Sequence, residues 1–218
     1  MRIELPTSWD GITVGKFQEL YPVLESDGRL VERVPAMISV LSGIPLEDVK
    51  KISLNDYKTI AKSLKFLDEL ETLKTIKDQF KIGKTKYAID TDINNMSGAQ
   101  YMDFMHFLNE CKGESTLVMR NLHNLLSCVI IEKKRKGFKW VKGEYDGSTI
   151  EERRKAIREH MPISLAFPIA VFFWNLWEQS MRDIADYGSN KTRKANEIIK
   201  EVGTDLRKYG AGTSLLTT

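Results

Sequence analysis

The chain has 218 residues, of which 42% are hydrophobic and 29% charged, with a net charge of +3. These values are typical of an ordinary soluble globular chain, and the length allows one domain or two small ones to bury a core, which excludes a small scaffold held by disulfides. Two cysteines, and the lack of an apolar run in the N-terminal MRIELPTSWDG, predict a reducing compartment and no secretion signal.

Short helices are predicted along the first 51 residues. Thr13 is expected to cap a first helix that Pro22 closes. A second helix is expected to begin at or near Pro35 and to end at Gly43. A proline followed by two acids and then two lysines predicts a helix of one to two turns at 45–51.

The clearest amphipathic pattern follows Ser53, which forms a near capping box with Asp56. It predicts a helix to about residue 76. Its apolar face consists of Leu54, Tyr57, Ile60, Ala61, Leu64 and Leu67. The pattern leaves open whether this face belongs to the core or meets a partner, so Tyr57, Leu64 and Leu67 are candidate contact residues.

The hydrophobic period changes in QFKIGKTKYAID, at 79–90. Apolar and polar residues alternate on both sides of Gly83-Lys84, which predicts a β-hairpin. An isolated hairpin is marginally stable in water, so it is expected to pack on helices or on a partner. Two more helices are expected, one capped by Ser97 and one over about 115–132.

Four potential metal ligands occur in the middle of the chain as two His-x4-Cys pairs: His106, Cys111, His123 and Cys128. Residues five apart on a helix differ by about 500°, so neither pair can chelate from one helix face. We therefore expect no metal site.

Catalytic motifs are missing from the sequence. It contains no Gly-x-Ser-x-Gly and no His-Glu-x-x-His, and KIGKTKY lacks the first glycine and the spacing of a phosphate-binding loop. We expect a protein that is not an enzyme, without catalytic residues or cofactors.

The charge balance changes at residue 133. Residues 1–132 carry 16 Lys/Arg and 19 Asp/Glu, whereas residues 133–218 carry 17 and 11. The change divides a helical N-terminal part with the hairpin, 1–132, from a helical C-terminal part, 149–218. Between them, KKRKGFKWVKGEYDGS at 133–148 is predicted to be a basic linker, a loop or an irregular hairpin. Both parts are expected to pack as one globular unit.

The basic segment is the best candidate for a charged interface. Its cations are Lys133, Lys134, Arg135, Lys136, Lys139 and Lys142. With Phe138 and Trp140 interleaved, they suit nucleic-acid phosphates and bases, or an acidic protein. The alternative is a connector whose two aromatic residues tuck into the core while the lysines face water.

A strongly apolar segment lies in the C-terminal part. Ser148 and Glu151 predict a capping box for a helix at 149–160. Ile163 to Trp177 is apolar on nearly all sides, but its 15 residues fall short of the ~20 that span a bilayer. We expect a helix in the core or in an interface and no membrane insertion. Its candidate contact residues are Phe172, Phe173, Trp174 and Trp177. A last polar helix, capped by Ser189 or Asn190, and a flexible Gly/Thr-rich tail complete the prediction.

Three stretches resemble proteins of tailed bacteriophages: WDGITVGKFQEL, LSGIPLEDVKKISLNDYKTIAKSLKFL and FKIGKTKYAID. Over roughly residues 9–70 the pattern is similar to the helical tail assembly chaperones of phages. The chain departs from many of these in its greater length and in its apolar C-terminal helix.

This resemblance implies a non-enzymatic role in forming a virion or its tail, in the virion or the host cytoplasm, with other phage proteins as partners in an oligomeric assembly. The expected fold is mainly α, a compact multi-helix domain with one short β-hairpin. The alternative function is a basic phage protein that binds nucleic acid through residues 133–142.

Overall fold

The computed structural model describes residues 3–112 and 114–190, with side chains except those of Leu30, Glu71, Thr72 and residues 183–190. The predicted last helix lies outside this part of the chain beyond Asn190, as does the tail. At the predicted cap, Ser189 and Asn190 belong instead to the end of the preceding long helix.

Helices dominate the described residues, which confirms the mainly α prediction. The α-helices are α1 (Val14–Leu24), α2 (Leu30–Ser42), α3 (Leu46–Val49), α4 (Leu54–Ser63), α5 (Gly98–Glu110), α6 (Ser115–Arg120), α7 (Leu122–Val129), α8 (Ile150–His160) and α9 (Ile163–Asn190). Short 3-10 helices lie at Trp9–Gly11, Leu64–Thr72, Ile93–Asn95 and Gly147–Thr149. The strands are β1 (Gln79–Ile82), β2 (Thr85–Ile89), β3 (Ile130–Lys136) and β4 (Lys139–Lys142).

Several predicted helix boundaries are confirmed by their capping bonds. The hydroxyls of Thr13, Ser53 and Ser97 each accept a hydrogen bond from the backbone N–H three residues later. Gly43 follows α2 in the left-handed conformation, with φ 73°, which suits a residue without a Cβ.

The two helix boundaries that were predicted from prolines are wrong. Helix α1 continues two residues past Pro22, and α2 begins five residues before Pro35. Each proline removes one helical N–H donor, and the packing of α1 against α2 maintains the helices around them.

The helix predicted from Ser53 to about residue 76 is shorter than expected. Regular α4 ends at Ser63, and Leu64–Thr72 continues as a 3-10 helix. Side chains three residues apart are eclipsed in a 3-10 helix, so Leu64 and Leu67 can enter the core together, and both are buried. Beside them, Phe66 packs edge-on against Trp9 with ring centroids 5.4 Å apart.

The predicted hairpin is present but belongs to a larger sheet. Four antiparallel strands are ordered β1-β2-β3-β4. Residues 130–132, expected to end a helix, pair with β2, with Ile130 opposite Ile89. The basic segment, for which a linker, a loop and an irregular hairpin were the alternatives, forms a hairpin that supplies the rest of β3 and all of β4. Pairing with β2 therefore overrides the helical pattern directly after Val129.

One hydrophobic core includes residues from both sides of the basic segment. Its largest fully buried side chains are Phe17, Phe104, Phe173, Ile12, Leu20, Ile38, Leu108, Leu122, Leu125, Leu126, Ile130 and Ile157. The N–H of Val14 donates to Met161 O at 2.9 Å, and that of Ile163 donates to Ile12 O at 2.8 Å. These bonds join the start of α1 to the junction between α8 and α9.

Arg153 of α8 holds the base of the β3–β4 hairpin. Its buried guanidinium donates to the carbonyls of Ser127, Ile130 and Asp146, at 2.9, 3.2 and 2.7 Å. It also lies 5.0 Å from the centroid of the Tyr145 ring. The predicted Ser148 cap is wrong, because Ser148 lies in a 3-10 turn where its own N–H donates to Asp146. Thr149 occupies the N-cap position of α8.

Candidate functional site

The β3–β4 hairpin projects the basic segment away from the core. Its turn is Gly137-Phe138, with Gly137 at φ 62°. A two-residue turn with glycine first and only that residue at positive φ has the pattern of a type II′ turn. All four residues of β4 are exposed, so the buried part of the hairpin is the first half of β3.

Two of the six predicted cations pair with side chains elsewhere in the sheet, whereas Arg135 donates only to the Gly137 carbonyl of its own hairpin, at 3.1 Å. Lys133 is only 9% exposed and donates to the Gln79 side chain. Lys142 forms an ion pair with Asp90 at 2.7 Å. Lys133 is thus wrong as part of an accessible basic patch, because β-sheet pairing turns its side chain back over β1.

The remaining four cations face outward: Lys134, Arg135, Lys136 and Lys139. Lys136 lies opposite Lys139 in the register, and neither forms an ion pair with a described residue. Like charges directly opposite one another destabilise a strand pair. The hairpin therefore keeps uncompensated positive charge next to its tip.

The two aromatic residues of the hairpin lie outside the core, so the alternative that they tuck into it is wrong. Phe138 is 98% exposed at the tip of the turn, and Trp140 is 43% exposed. The Lys86 ammonium lies 4.4 Å from the centroid of the Trp140 ring. We define the tip surface as Lys134, Arg135, Lys136, Phe138, Lys139 and Trp140.

The predicted apolar anchors of α9 separate into two groups. Phe173 is fully buried and packs edge-on against Phe104, with ring centroids 5.9 Å apart. The prediction that Phe173 contacts a partner is therefore wrong. Phe172, Trp174 and Trp177 are partly buried. The two tryptophan rings lie 4.9 Å apart, and Trp174 donates to Glu178 at 3.0 Å.

The candidate contact residues near α4 are mostly core residues. Leu64 and Leu67 are only 6% and 8% exposed, so the prediction that they contact a partner is wrong. Tyr57 is partly buried against the same core, and burial raises the pKa of its hydroxyl. The apolar face that begins at Leu54 therefore packs largely against the core of the same chain.

The histidines and cysteines lie in separate environments. His106 and His160 each lie beside a glutamate, and His123 contacts Gln18. Cys111 and Cys128 are free and buried, and burial raises the pKa of each thiol to about 12. Among residues 3–112 and 114–190, no three His, Cys, Asp or Glu side chains are grouped so that they could hold a metal ion.

In the described part of the chain, no helix combines the length and the apolar character needed to cross a membrane. Comparison with protein-family models, curated proteins and solved structures finds no match.

Proposed function

We propose that this protein is a non-enzymatic structural or assembly component of a tailed bacteriophage that binds other virion or tail proteins, in the virion or the host cytoplasm. The phage context rests on the sequence resemblance over residues 9–70. The observation that carries the binding role is the apolar surface on α9 beyond Phe173, formed by Trp174, Trp177 and Met181.

This surface begins where α9 leaves the core. Ile169, Ala170 and Phe173 are buried, whereas every described side chain from Trp174 onward is at least partly exposed. A helix end that faces only water needs no large apolar side chains. Here two tryptophans pack against each other, and Met181 is 44% exposed.

The hydrogen bonding of the indoles also favours a partner. The Trp177 N–H is buried and has no acceptor among the described residues. Buried polar groups normally have a partner, and large aromatic residues provide much of the energy of protein interfaces. A virion protein with an apolar groove would cover the rings, in the manner of a helix bound in a groove.

The test is co-expression with the proteins encoded by neighbouring phage genes, followed by co-purification and light scattering. We expect a complex that the Trp174→Ala/Trp177→Ala variant weakens by about 2 kcal/mol or more, the loss typical of central aromatic contacts. The control is Val31→Ala/Leu54→Ala, because Val31 and Leu54 are both 68% exposed apolar residues outside α9.

Thermal melting of both variants separates loss of binding from loss of folding. A wild-type protein that stays monomeric and captures none of these phage proteins would refute the proposal. Equal weakening by the control variant would refute the role of α9.

A second candidate function, binding of single-stranded nucleic acid, is favoured by the tip surface. Nonspecific single-strand binders combine cations that follow the phosphates with aromatic rings on which bases stack. Phe138 leaves both faces of its ring accessible, with Lys136 and Lys139 on either side of the turn. The tip surface offers this combination without any rearrangement of the core.

The test compares oligonucleotide affinity at several salt concentrations. Phe138→Ala should cost about 1–3 kcal/mol, the usual contribution of one stacked base. Lys134→Ala/Arg135→Ala/Lys136→Ala should reduce the dependence of log K on log salt by about 2, because each phosphate contact contributes ~0.7. The matched control replaces Lys58, Lys62 and Lys65, which are exposed on α4 and the turn after it. No binding at low salt, or equal effects of both triple variants, would exclude this function.

A further inference from the structure

A second charged feature lies away from both surfaces described above. It is a cleft of about 490 Å³ between α1, α7 and α8. This volume lies within the range of about 300–1,000 Å³ that is common for small-ligand sites. The lining residues that matter here are Lys16, His123, Glu151, Arg154, Lys155 and Arg158.

The close approach of α1 and α8 fixes the geometry of the cleft. A Cβ at Gly15 would lie 2.7 Å from the Arg158 carbonyl oxygen, so only glycine allows this contact. Along α8, Glu151, Arg154 and Arg158 follow at spacings of three and four residues, which places them on one helix face. The backbone thus presents two arginines to the same space.

The charges in the cleft are only partly compensated. Lys16 pairs with Glu19 at 2.8 Å, and Arg154 pairs with Glu151 through one terminal nitrogen. Lys155 and Arg158 have no hydrogen-bond or ion-pair partner among the described residues, and the carboxylate of Glu159, which also lines the cleft, lies 3.8 Å from His160.

Arg154 leaves a further donor without an acceptor. Its Nε–H is buried and unpaired in the part of the chain that the structure describes. A buried donor without an acceptor is rare in folded proteins, because leaving it unpaired is costly. Four cations, Lys16, Arg154, Lys155 and Arg158, thus line the cleft against three carboxylates, Glu19, Glu151 and Glu159.

His123 adds a neutral donor. The Gln18 side-chain N–H donates to His123 Nδ1 at 2.8 Å, which leaves the ring proton on Nε2. Burial first, and then the positive charges of Arg158 and Arg154, lower the pKa of His123 to about 4. At neutral pH the ring is uncharged, and its Nε2–H has no acceptor among the described residues.

We infer that this cleft binds a phosphate group, with Arg158 and Lys155 as its charged ligands and His123 Nε2–H as a neutral donor. A phosphate offers several acceptor oxygens and can meet donors that converge from different helices, and arginine is well suited to it. The inference does not depend on the proposed phage function or on the tip surface.

The phosphate could belong to a small molecule or to a nucleic-acid backbone, and NMR of the imidazole protons can distinguish them. The chain has three histidines, so the His123 signal is readily assigned, and His106 serves as an internal reference outside the cleft. One arm adds sodium phosphate and the other a short single-stranded oligonucleotide, both with sodium chloride balancing the ionic strength.

Saturable movement of the His123 signal in the phosphate arm, without movement of His106, supports the inference. The same movement in the oligonucleotide arm extends the ligand to nucleic-acid backbones, and its absence there restricts the ligand to small molecules. No saturable movement in either arm overturns the inference.

Variants test the assigned ligands. Arg158→Gln should weaken phosphate binding about tenfold or more, because one charge-assisted hydrogen bond is worth about 1.5–3 kcal/mol. Lys155→Gln is a second variant at an exposed side chain, in case the packing of Arg158 on Gly15 is needed for folding. Arg135→Gln, on the hairpin, is the matched control and should leave the affinity unchanged. Wild-type affinity in both Arg158→Gln and Lys155→Gln would overturn the assignment.

Discussion

The two hairpins of the sheet differ in how they are used, although they are built in the same way. Both have a two-residue turn that starts with glycine, Gly83-Lys84 in one and Gly137-Phe138 in the other. β1 and β2 bury Phe80, Ile82, Tyr87, Ala88 and Ile89, whereas β4 buries none of its residues. The β1–β2 hairpin therefore packs against the core, and the β3–β4 hairpin projects from it into solvent.

This difference shows that strand pairing alone does not decide what a hairpin does. The β1–β2 hairpin alternates apolar and polar residues, so one of its faces must be covered. The β3–β4 hairpin changes character along its length, from Ile130 and Ile131 in the core to cations around Phe138 at the tip. Its buried end fixes the position of its exposed end.

The largest expected effect tests this contrast with one substitution in each hairpin. Phe80→Ala should lower the free energy of unfolding by about 3–5 kcal/mol, the usual cost of removing a buried aromatic ring. Phe138→Ala should change it by less than about 0.5 kcal/mol, because the ring is 98% exposed. Urea unfolding of both variants checks this. A clear loss of stability in Phe138→Ala would mean that the tip packs against the body of the protein.

The second largest expected effect tests whether Arg153 anchors the β3–β4 hairpin. Arg153→Met should cost about 3 kcal/mol, because it leaves carbonyls at the end of α7 and the start of β3 without a donor. Amide hydrogen exchange should speed up in β3 and β4 more than in β1. Arg182→Met is the control, since Arg182 is an exposed arginine that pairs only with Glu178 among the described residues. Equal exchange in all four strands of Arg153→Met would contradict the anchoring role.

The smallest effect concerns the ion pair that joins the two hairpins at the edge of the sheet. Hydrogen bonding from Lys142 is the main cause that lowers the pKa of Asp90. A lowered carboxyl pKa adds stability above the unfolded value of about 3.9, and this stability is lost as the pH falls through the native pKa. Asp90→Asn should therefore be less stable than the wild type at pH 7, by up to about 1 kcal/mol.

The difference between Asp90→Asn and the wild type should shrink as the pH falls below about 4. Urea unfolding at pH 7 and at acidic pH measures it. Lys142→Gln should reproduce the loss at pH 7. A stability difference that does not change with pH would show that the charge of Asp90 plays no part.

Much of the fold could be predicted because its signals are local. Ser53 and Ser97 cap their helices through bonds that span three residues, and Gly43 ends its helix through its own backbone freedom. The β1–β2 hairpin follows from alternation around a glycine turn. The candidate site was predicted only in part, because exposure depends on distant residues. Lys133 and Phe138 lie five residues apart in one basic segment, yet one contacts Gln79 and the other faces water.

The sequence by itself determined the helical class, the capped helices, the first hairpin and the place of the basic segment, since each depends on neighbours within a few residues. Only the tertiary structure decided that residues 130–132 are strand and that the following hairpin joins the sheet, because β3 must pair with a strand more than 40 positions earlier. It also decided that Phe173, Leu64 and Leu67 are core residues while Trp174 and Phe138 are partly or fully accessible. The cleft between α1, α7 and α8 likewise arises from the contact of α1 with α8, whose residues lie about 140 positions apart in the chain.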